Sequence, residues 1–547
     1  MTNLKQTGRA LATWSCLVAG IASSVSCGGD ESQVIRYAEP GAAGGRPGRG
    51  SFTLGVATAA AQIEEDNSAA DWWVYTLPED EGGLGVGEFV GDAVQGYARA
   101  LDDVALVDEM NLDAYRFSVN WARMEPTRDN YDEAAFAHYD AVIDALVARG
   151  IKPMITIHHF SNPIWVDDPR VATCPAEGPS DTNLCGWGHP TGGPEIVAEL
   201  AEFAAELARR YGDRVDEWVT LNEPVNYMVA SYMLTVFPPG RNLLFNGFAN
   251  FIEVVRHFTE AHVAMYDAVH ASDTVDADGD GQDAVVGFTL NVIEWAPAVR
   301  NVVSDFEGAV RARNTLHYVY NRMFPESIIN GTFDPDYDGV PNETHDDWAG
   351  KLDFMGVQYY SRQGVTGSPG LIPILNATPC FGPFDFGACV DPVFDETHCV
   401  PAMGYEYYEP GIYNLLTEYG EVFPDLPLTV TESGLATNVG RRRAEHIVRS
   451  LEQIEFARRE GVDVRGYYHW SLMDNFEWAE GYEPRFGLYR VDVSTYERTA
   501  TDGALMLGQI AAARRITAEQ RAEYGGTGPM TSEGDPRELL VGCRPVD

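Results

Sequence analysis

Short, nearly continuous apolar runs recur eight times between residues 52 and 471, and each run predicts a strand that is buried on both faces. The runs are Phe52–Thr58, Leu112–Ser118, Ile151–His158, Trp218–Asn222, Ala284–Asn291, Leu352–Tyr360, Leu426–Glu432 and Gly466–Ser471. Between them, a 3.6-residue apolar spacing predicts helices, among them Ala134–Arg149, Glu195–Tyr211, Phe251–Ala271, Phe306–Met323 and Arg442–Glu460. Strands that alternate with helices in this way predict an α/β fold, the (β/α)8 TIM barrel.

The predicted barrel accounts for most of the 547 residues. A barrel of this type takes about 250 residues, so residues 51–517 form a single catalytic domain with several long loops after its strands. Residues 28–50 include the Gly-rich stretch Gly41–Gly50 and predict a flexible linker. Residues 518–547 are polar, contain Cys543, and form a predicted C-terminal tail.

Residues 1–27 have the features of a signal peptide. Lys5 and Arg9 precede an apolar run, Ala10–Val25, that is too short to span a bilayer. Cys27 follows this run, as the lipidated cysteine does in a bacterial lipoprotein, although Ser24 replaces the large aliphatic residue that such signals prefer. We therefore expect an exported protein that is either tethered to a membrane through a lipidated Cys27 or simply secreted.

The cysteine count agrees with export. Apart from Cys16 and Cys27, the chain has six cysteines, and an even number in an oxidising compartment favours disulfides. Six cysteines allow 15 pairings, of which only a local bond between Cys174 and Cys185 is favoured by spacing. The alternative is that the thiols are unpaired and structural.

The charge of the chain excludes one class of partner. It carries 38 Lys and Arg residues against 82 Asp and Glu residues, a net charge of −44 at pH 7. A surface this negative repels phosphate backbones and anionic lipid headgroups, so no nucleic-acid partner is expected. The expected partner is a neutral or cationic molecule.

Polar side chains gather where the predicted strands end, on the face that carries the active site in such barrels. Glu223 and Glu432 each end an apolar strand, and aromatic residues flank both. Paired carboxylates in an aromatic pocket suit hydrolysis of a glycosidic bond, because one can protonate the leaving oxygen while the other acts on the anomeric carbon. The other polar or aromatic residues near strand ends are Gln62, Arg116, His159, Asn222, Tyr360, Trp470, Glu477 and Trp478.

Four strings carry most of these residues, and they resemble glycoside hydrolase family 1, the family of β-glucosidases and β-galactosidases. They are TLNEP at Thr220–Pro224, TESG at Thr431–Gly434, YRFSVNWAR at Tyr115–Arg123 and YHWSLMDNFEW at Tyr468–Trp478. The resemblance runs from about Phe52 to about Arg515. It implies a β-glycosidase that needs no organic or redox cofactor and that acts on a small β-glycoside or an oligosaccharide.

The resemblance also implies a role for each residue. Glu223 would be the general acid/base and Glu432 the nucleophile of a double displacement that retains the anomeric configuration, with the carboxylates about 5–5.5 Å apart. Arg116 and the Tyr360 hydroxyl would keep Glu432 ionised. The residues that would bind the sugar are Gln62, His159, Asn222, Tyr360, Trp470, Glu477 and Trp478. The Glu477 carboxylate would repel a phosphate, which implies an unphosphorylated sugar.

The sequence predicts an exo-acting β-glucosidase, and it leaves two alternatives open. Ser433, Gln358 and Phe160 stand where the family usually has Asn, Asn and Trp, which leaves the glycone preference open. The enzymatic alternative is a β-galactosidase or β-fucosidase, because Gln62, His159 and Glu477 would contact several sugar hydroxyls without a decisive residue among them. A catalytically inactive, sugar-binding lipoprotein is the alternative of a different class. The presence of both glutamates argues against that second alternative.

Two acidic loops fall outside the family pattern and follow the DxDxDG spacing of calcium loops. The first loop carries Asp276, Asp278, Asp280 and Asp283. The second carries Asp334, Asp336 and Asp338 before Gly339. Neither loop has a Glu at position twelve. We hypothesise that a structural calcium ion binds to one of these loops, and the first loop is favoured over the second. The alternative is that both loops are polar turns.

Overall fold

Eight parallel strands close into a barrel in the computed structural model, which describes residues 33–298, 306–367, 375–380 and 396–533. The strands are β1 (Thr53–Thr58), β2 (Ala114–Ser118), β3 (Lys152–His158), β4 (Glu217–Asn222), β5 (Val285–Pro297), β6 (Phe354–Thr366), β7 (Leu428–Ser433) and β8 (Val464–Trp470). Each strand pairs with the next in parallel, and β8 pairs with β1. The predicted (β/α)8 barrel is confirmed.

Helices follow the strands and cover the outside of the barrel. The main helices are α1 (Ala100–Glu109), α2 (Glu133–Val147), α3 (Gly192–Tyr211), α4 (Phe248–Ser272), α5 (Phe306–Leu316), α6 (Glu409–Val422), α7 (Gly440–Arg459) and α8 (Asp502–Ala513). Shorter helices are Ala60–Ile63, Asp71–Thr76, Trp121–Met124, Pro224–Tyr232, Leu243–Asn246, Met323–Asn330 and Ala518–Tyr524. Among the described residues, no helix combines the length and hydropathy needed to cross a bilayer.

Local sequence accounts for these helices. In α3, Ile196, Leu200, Phe203 and Leu207 repeat at helical spacing and are fully buried, so the helix packs through one face. At the start of α2, the Asp132 side chain accepts hydrogen bonds from the first backbone N–H groups and caps the helix. The strands are buried from end to end because helices cover the barrel, which explains their continuous apolar runs.

Strands β5 and β6 are longer than the apolar runs predicted. They stay paired beyond the barrel as far as Pro297 and Val365. The extension is stabilised by a separate small core in which Ile293, Trp295 and Val365 pack against Leu316 of α5. After Leu316 the chain continues as a π-helical turn, His317–Arg322. The two extended strands therefore form a wall beside the opening of the barrel.

The Gly-rich stretch that predicted a flexible linker instead packs against the bottom of the barrel. Ala43 is buried in a cluster with residues of six strands, and its backbone N–H donates to Glu217 Oε1 over 2.9 Å. A Cβ on Gly44 would lie 2.6 Å from Val285 Cγ1, so glycine there permits the close approach. Before it, Ile35–Arg36 pairs antiparallel with Arg515–Ile516.

The part of the C-terminal tail that the structure describes lies against the barrel. The predicted signal peptide with Cys27 and the final residues with Cys543 lie outside the described residues. The first part of the predicted tail folds back on the barrel, where Glu533 pairs with the buried Arg442.

The Cys174–Cys185 disulfide is confirmed, with a Cα–Cα distance of 5.3 Å. Cys380 and Cys399 are disulfide-bonded as well, and Cys389 lies outside the described residues.

Candidate active site

The carboxyl ends of the barrel strands open into a cavity of about 380 Å³. Ten of the residues singled out in the sequence line it or lie directly behind its wall. Those in the lining are His159, Asn222, Glu223, Tyr360, Glu432, Trp470, Glu477 and Trp478. Gln62 and Arg116 are fully buried and hydrogen-bond to residues of this lining. The structure therefore brings together every residue that the sequence assigned to catalysis or to sugar binding.

Glu432, near the end of β7, is held by two strong donors. Arg116 Nη1 donates to Glu432 Oε1, and the Tyr360 hydroxyl donates to Oε2 over 2.6 Å. Burial raises the pKa of Glu432, while the Arg116 charge and the two hydrogen bonds lower it. Because Arg116 is fully buried, little water screens its charge. Burial is the largest effect and leaves the pKa of Glu432 raised, while Arg116 and Tyr360 are the groups that favour its ionised form.

Glu223 has weaker partners and a strained backbone. It precedes the helix Pro224–Tyr232 with a φ of 42°, in the left-handed region that a residue with a Cβ seldom adopts. Asn226 Nδ2 donates to Glu223 Oε2 over 2.8 Å, and Asn291 forms a second side-chain hydrogen bond. Burial, followed by the charge of Glu432, raises the pKa of Glu223 to about 8. Glu223 therefore holds a proton at neutral pH.

Asn222 connects the two halves of the site. Its Oδ1 accepts three hydrogen bonds, from Arg116 Nη2 at 2.6 Å, Gln358 Nε2 at 2.8 Å and Thr289 Oγ1 at 3.0 Å. With Oδ1 occupied in this way, the Nδ2 of Asn222 remains as a donor to the cavity. Gln358, which departs from the family pattern, serves here to hold Asn222 in place.

Gln62 and Glu477 form a polar corner of the cavity. Gln62 Nε2 donates to the Phe476 carbonyl over 2.7 Å and to Glu477 Oε2 over 3.3 Å, whereas Gln62 Oε1 is buried with no donor. Burial raises the pKa of Glu477 well above its usual value, and Glu480 contributes to that rise. The buried Nδ1 of His159 also lacks a partner within the protein. Adjacent sugar hydroxyls would satisfy such a set of groups.

His159 and its aromatic neighbours form the opposite side of this corner. Burial, then the charge of Arg116, holds the pKa of His159 well below its usual value, so the ring is neutral. Its ring centroid lies 6.2 Å from that of Trp470 and 5.8 Å from that of Trp478. His158, by contrast, packs against Trp187 and hydrogen-bonds to Asn162, which is a structural role.

Sequence reasoning missed several residues of the site. Asn226 and Asn291 contact Glu223, Thr289 contacts Asn222, and Asn475 contacts Gln62. Asn291 ends a predicted strand and could have been found by the rule that identified Glu223. Asn226 lies about one helical turn after Glu223. A helix predicted to start at Pro224 would have indicated that the Asn226 side chain lies on the same side as Glu223.

The first acidic loop does not gather the four carboxylates that its spacing suggested. Asp276 and Asp278 lie close to Asp216, from the segment before β4, with one oxygen of each within 4.8 Å of the others. Lys152 Nζ lies 2.8 Å from Asp278 Oδ2 and so supplies a positive charge. Asp280 and Asp283 are not in this cluster, and Asp280 Oδ1 accepts the backbone N–H of Gln282.

Comparisons with known proteins agree with the fold. A β-galactosidase of Pyrococcus woesei is 30% identical over 501 residues, which cover 82% of this chain and 93% of that protein. A β-glycosidase structure from Pyrococcus horikoshii is 29% identical, with a TM-score of 0.71 over 86% of this chain and 96% of that one.

A third relative was solved with a sugar-like inhibitor. It is a β-glucosidase from Thermotoga maritima in complex with deoxynojirimycin, 26% identical, with a TM-score of 0.69 over 85% of this chain and 98% of that one. The model of glycosyl hydrolase family 1 matches residues 47–515, well over half of the sequence. This chain therefore belongs to glycosyl hydrolase family 1, whose members hydrolyse glycosidic bonds without a cofactor.

Proposed function

We propose that the protein is a retaining, exo-acting β-glucosidase in which Glu223 is the general acid/base and Glu432 the nucleophile. The proposal rests on the difference between the surroundings of the two carboxyls. Glu432 is paired with Arg116 and Tyr360, whereas Glu223 has only amide donors and a pKa of about 8. Two carboxyls whose environments favour opposite protonation states are suited to opposite roles.

In the first step the ionised Glu432 attacks the anomeric carbon and forms a glycosyl ester, while Glu223 gives its proton to the leaving oxygen. The C–O bond to the leaving group breaks, and the leaving group departs as an alcohol. Formation of the ester removes the negative charge of Glu432, which is one of the two causes of the raised pKa of Glu223. The pKa of Glu223 therefore falls once the ester has formed.

In the second step Glu223, now ionised, takes a proton from water, and the resulting hydroxide attacks the ester carbon. The sugar leaves with its original anomeric configuration, and Glu432 returns to its ionised form beside Arg116. The fall and recovery of the Glu223 pKa lets one residue act first as an acid and then as a base.

A panel of nitrophenyl β-glucoside, β-galactoside and β-fucoside tests the proposal, with the wild type and Glu432→Ala side by side. We expect the highest kcat/KM for the β-glucoside, and a loss of turnover in the variant on all three. Higher kcat/KM for the β-galactoside would favour the second candidate, a β-galactosidase, which the Pyrococcus woesei relative supports. Undiminished activity in Glu432→Ala would refute the nucleophile.

The leaving group that we propose is apolar. Beyond the two carboxyls the cavity is lined by aliphatic and aromatic side chains from several helices, among them Met233, Phe248, Phe251, Val255, Leu316 and Met323. Such a surface gains free energy from burying hydrocarbon, at roughly 25 cal/mol per Å². An alkyl or aryl glycoside fits this lining better than a second sugar, whose hydroxyls would lose their water without gaining partners.

We also propose that the protein is exported, with Cys27 as the point of lipid attachment. The Cys174–Cys185 disulfide supports export, since such bonds persist in oxidising compartments. Metabolic labelling with a radioactive fatty acid would test the lipid. We expect label in the wild type and none in Cys27→Ser, and an unlabelled wild-type protein in the culture medium would contradict the lipid anchor.

A further inference from the structure

The second acidic loop has no part in the proposed glycosidase chemistry. Residues 334–342 join two short strands, Thr332–Phe333 and Glu343–Thr344, which pair as an antiparallel hairpin. One carboxylate oxygen each of Asp334, Asp336 and Asp338 lies within 4.8 Å of the others. Because the hairpin closes the base of the loop, the three side chains are held together.

The buried member of this trio lacks a partner at one oxygen. Asp334 is 0% exposed. Its Oδ2 accepts hydrogen bonds from the Tyr318 hydroxyl at 2.9 Å and from the Gly339 backbone N–H at 2.8 Å. Its Oδ1 is buried and has no hydrogen-bond donor. A buried carboxylate oxygen without a donor is costly, and a bound cation removes that cost.

The three carboxylates also have no neutralising charge from the chain. Within the described ranges, no Lys, Arg or His side chain forms an ion pair with any of them. Arg256, which lies over the ring of Phe333, is bound to Glu343 instead, at 2.7 Å. One carboxylate oxygen of Asp336 lies within 4.8 Å of one of Asp334, so the two negative charges are close together. Like charges this close repel each other, and a metal ion bound between them removes the repulsion.

The first acidic loop provides an internal contrast. There the trio of Asp216, Asp276 and Asp278 is bound by Lys152, whose Nζ lies 2.8 Å from Asp278 Oδ2. Both oxygens of Asp216 accept backbone N–H groups, from Ala277 and Asp278. The first loop thus receives a positive charge and backbone hydrogen-bond donors from the chain, and among the described residues the second loop lacks the charge and has a buried oxygen without a donor.

We propose that Asp334, Asp336 and Asp338 bind one calcium ion. The donors are all carboxylate oxygens on a loop, which is the ligand type that hard cations prefer, and calcium accepts six to eight such oxygens in flexible geometry. Asn342 lies beside these carboxylates, where its Nδ2 donates to Asp336 Oδ2 over 3.4 Å. Asp336 and Asp338 are exposed, so the ion and its waters can enter from solvent above the buried Asp334.

The site has a structural consequence for the enzyme. Tyr337 lies between two of the proposed ligands with a φ of 57°, and its side chain is buried and lines the catalytic cavity. The Tyr337 ring packs against that of Phe248 with centroids 5.9 Å apart. A calcium ion held by the flanking residues would fix this part of the apolar wall.

Calcium titration by calorimetry of the whole protein, first stripped with a chelator, tests the proposal. We expect one ion bound per chain, and a weakening of at least about tenfold in Asp336→Asn and in Asp338→Asn, because each loses one charged ligand. Both residues are exposed, so the variants are not expected to misfold. Asp278→Asn, in the loop that Lys152 already neutralises, is the matched control and should bind calcium as the wild type does.

Terbium luminescence gives a second readout that does not depend on activity. Tyr318 hydrogen-bonds to Asp334, so terbium in this loop should be sensitised by excitation of tyrosine, and calcium should displace it. Absence of calcium binding by the stripped protein would overturn the proposal. So would binding that survives in Asp336→Asn and is lost in Asp278→Asn, since that result would assign the ion to the first loop. Neither result would affect the proposed glycosidase activity, which the nitrophenyl panel measures separately.

Discussion

Asn226 donates to Glu223 Oε2 over 2.8 Å, and this hydrogen bond lowers the pKa of Glu223 from the still higher value that burial and Glu432 would impose. Replacing Asn226 with Ala removes the donor and therefore raises that pKa above about 8. A hydrogen bond to a charged group contributes about 1.5–3 kcal/mol. The protonated form of Glu223 also loses a weaker hydrogen bond in the variant, so the pKa reflects only the difference between the two forms. Since one pKa unit corresponds to about 1.4 kcal/mol, we expect a rise of about one unit.

The consequence is measurable in the pH dependence of kcat/KM for an alkyl β-glucoside, whose departure requires the acid. Activity needs protonated Glu223, so it falls as pH rises through the pKa of the pair, and the basic limb should move about one unit higher in Asn226→Ala. Tyr320→Phe is the matched control, because Tyr320 contacts Asn226 Oδ1 and its loss leaves the donor to Glu223 in place. An unmoved basic limb in Asn226→Ala, or an equal movement in Tyr320→Phe, would refute the reasoning.

Contacts elsewhere in the cavity and at the Cys174–Cys185 disulfide also affect activity or stability. Tyr360→Phe removes a hydrogen-bond donor to Glu432, so kcat should fall about 10- to 100-fold. Because Glu432 must be ionised, the acidic limb of the pH profile should move to higher pH. An unchanged acidic limb would contradict this. Met233→Gln keeps the side-chain volume but adds a polar group to the cavity lining. The kcat/KM should therefore fall for octyl β-glucoside and stay constant for methyl β-glucoside. An equal fall in kcat/KM for both substrates would contradict the apolar subsite. Cys185→Ser opens the bond to Cys174 and should lower the free energy of unfolding by about 3 kcal/mol in urea titrations. An unchanged free energy of unfolding would be inconsistent with this bond.

The barrel could be predicted because its signal is local and repeated. Each strand is buried on both faces, so its residues form an apolar run that needs no knowledge of the rest of the fold. Glu223 and Glu432 follow from the same signal, since parallel strands bring their carboxyl ends to one face. The extension of β5 and β6 could not be predicted, because it depends on packing against Leu316, a residue far away in the sequence.

Composition misled where packing depends on the absence of a side chain. The Gly41–Gly50 stretch resembles a linker, yet its glycines let the backbone approach Val285 and seat Ala43 at the bottom of the barrel. The first acidic loop is a related case. Its spacing favoured four carboxylates of one loop, whereas Asp216 joins the cluster because the segments before the parallel strands β4 and β5 lie side by side. Lys152 reaches the same place from the start of β3.

The identity of the nucleophile is tested most directly by trapping the glycosyl ester. A 2-deoxy-2-fluoro-β-glucoside with a good leaving group forms the ester quickly and hydrolyses slowly, because fluorine destabilises both transition states while the leaving group speeds only the first. Mass spectrometry of the intact protein should show one added fluoroglucosyl group, and peptide mapping should place it on Glu432. A label on Glu223, or turnover with no labelled protein, would contradict the account.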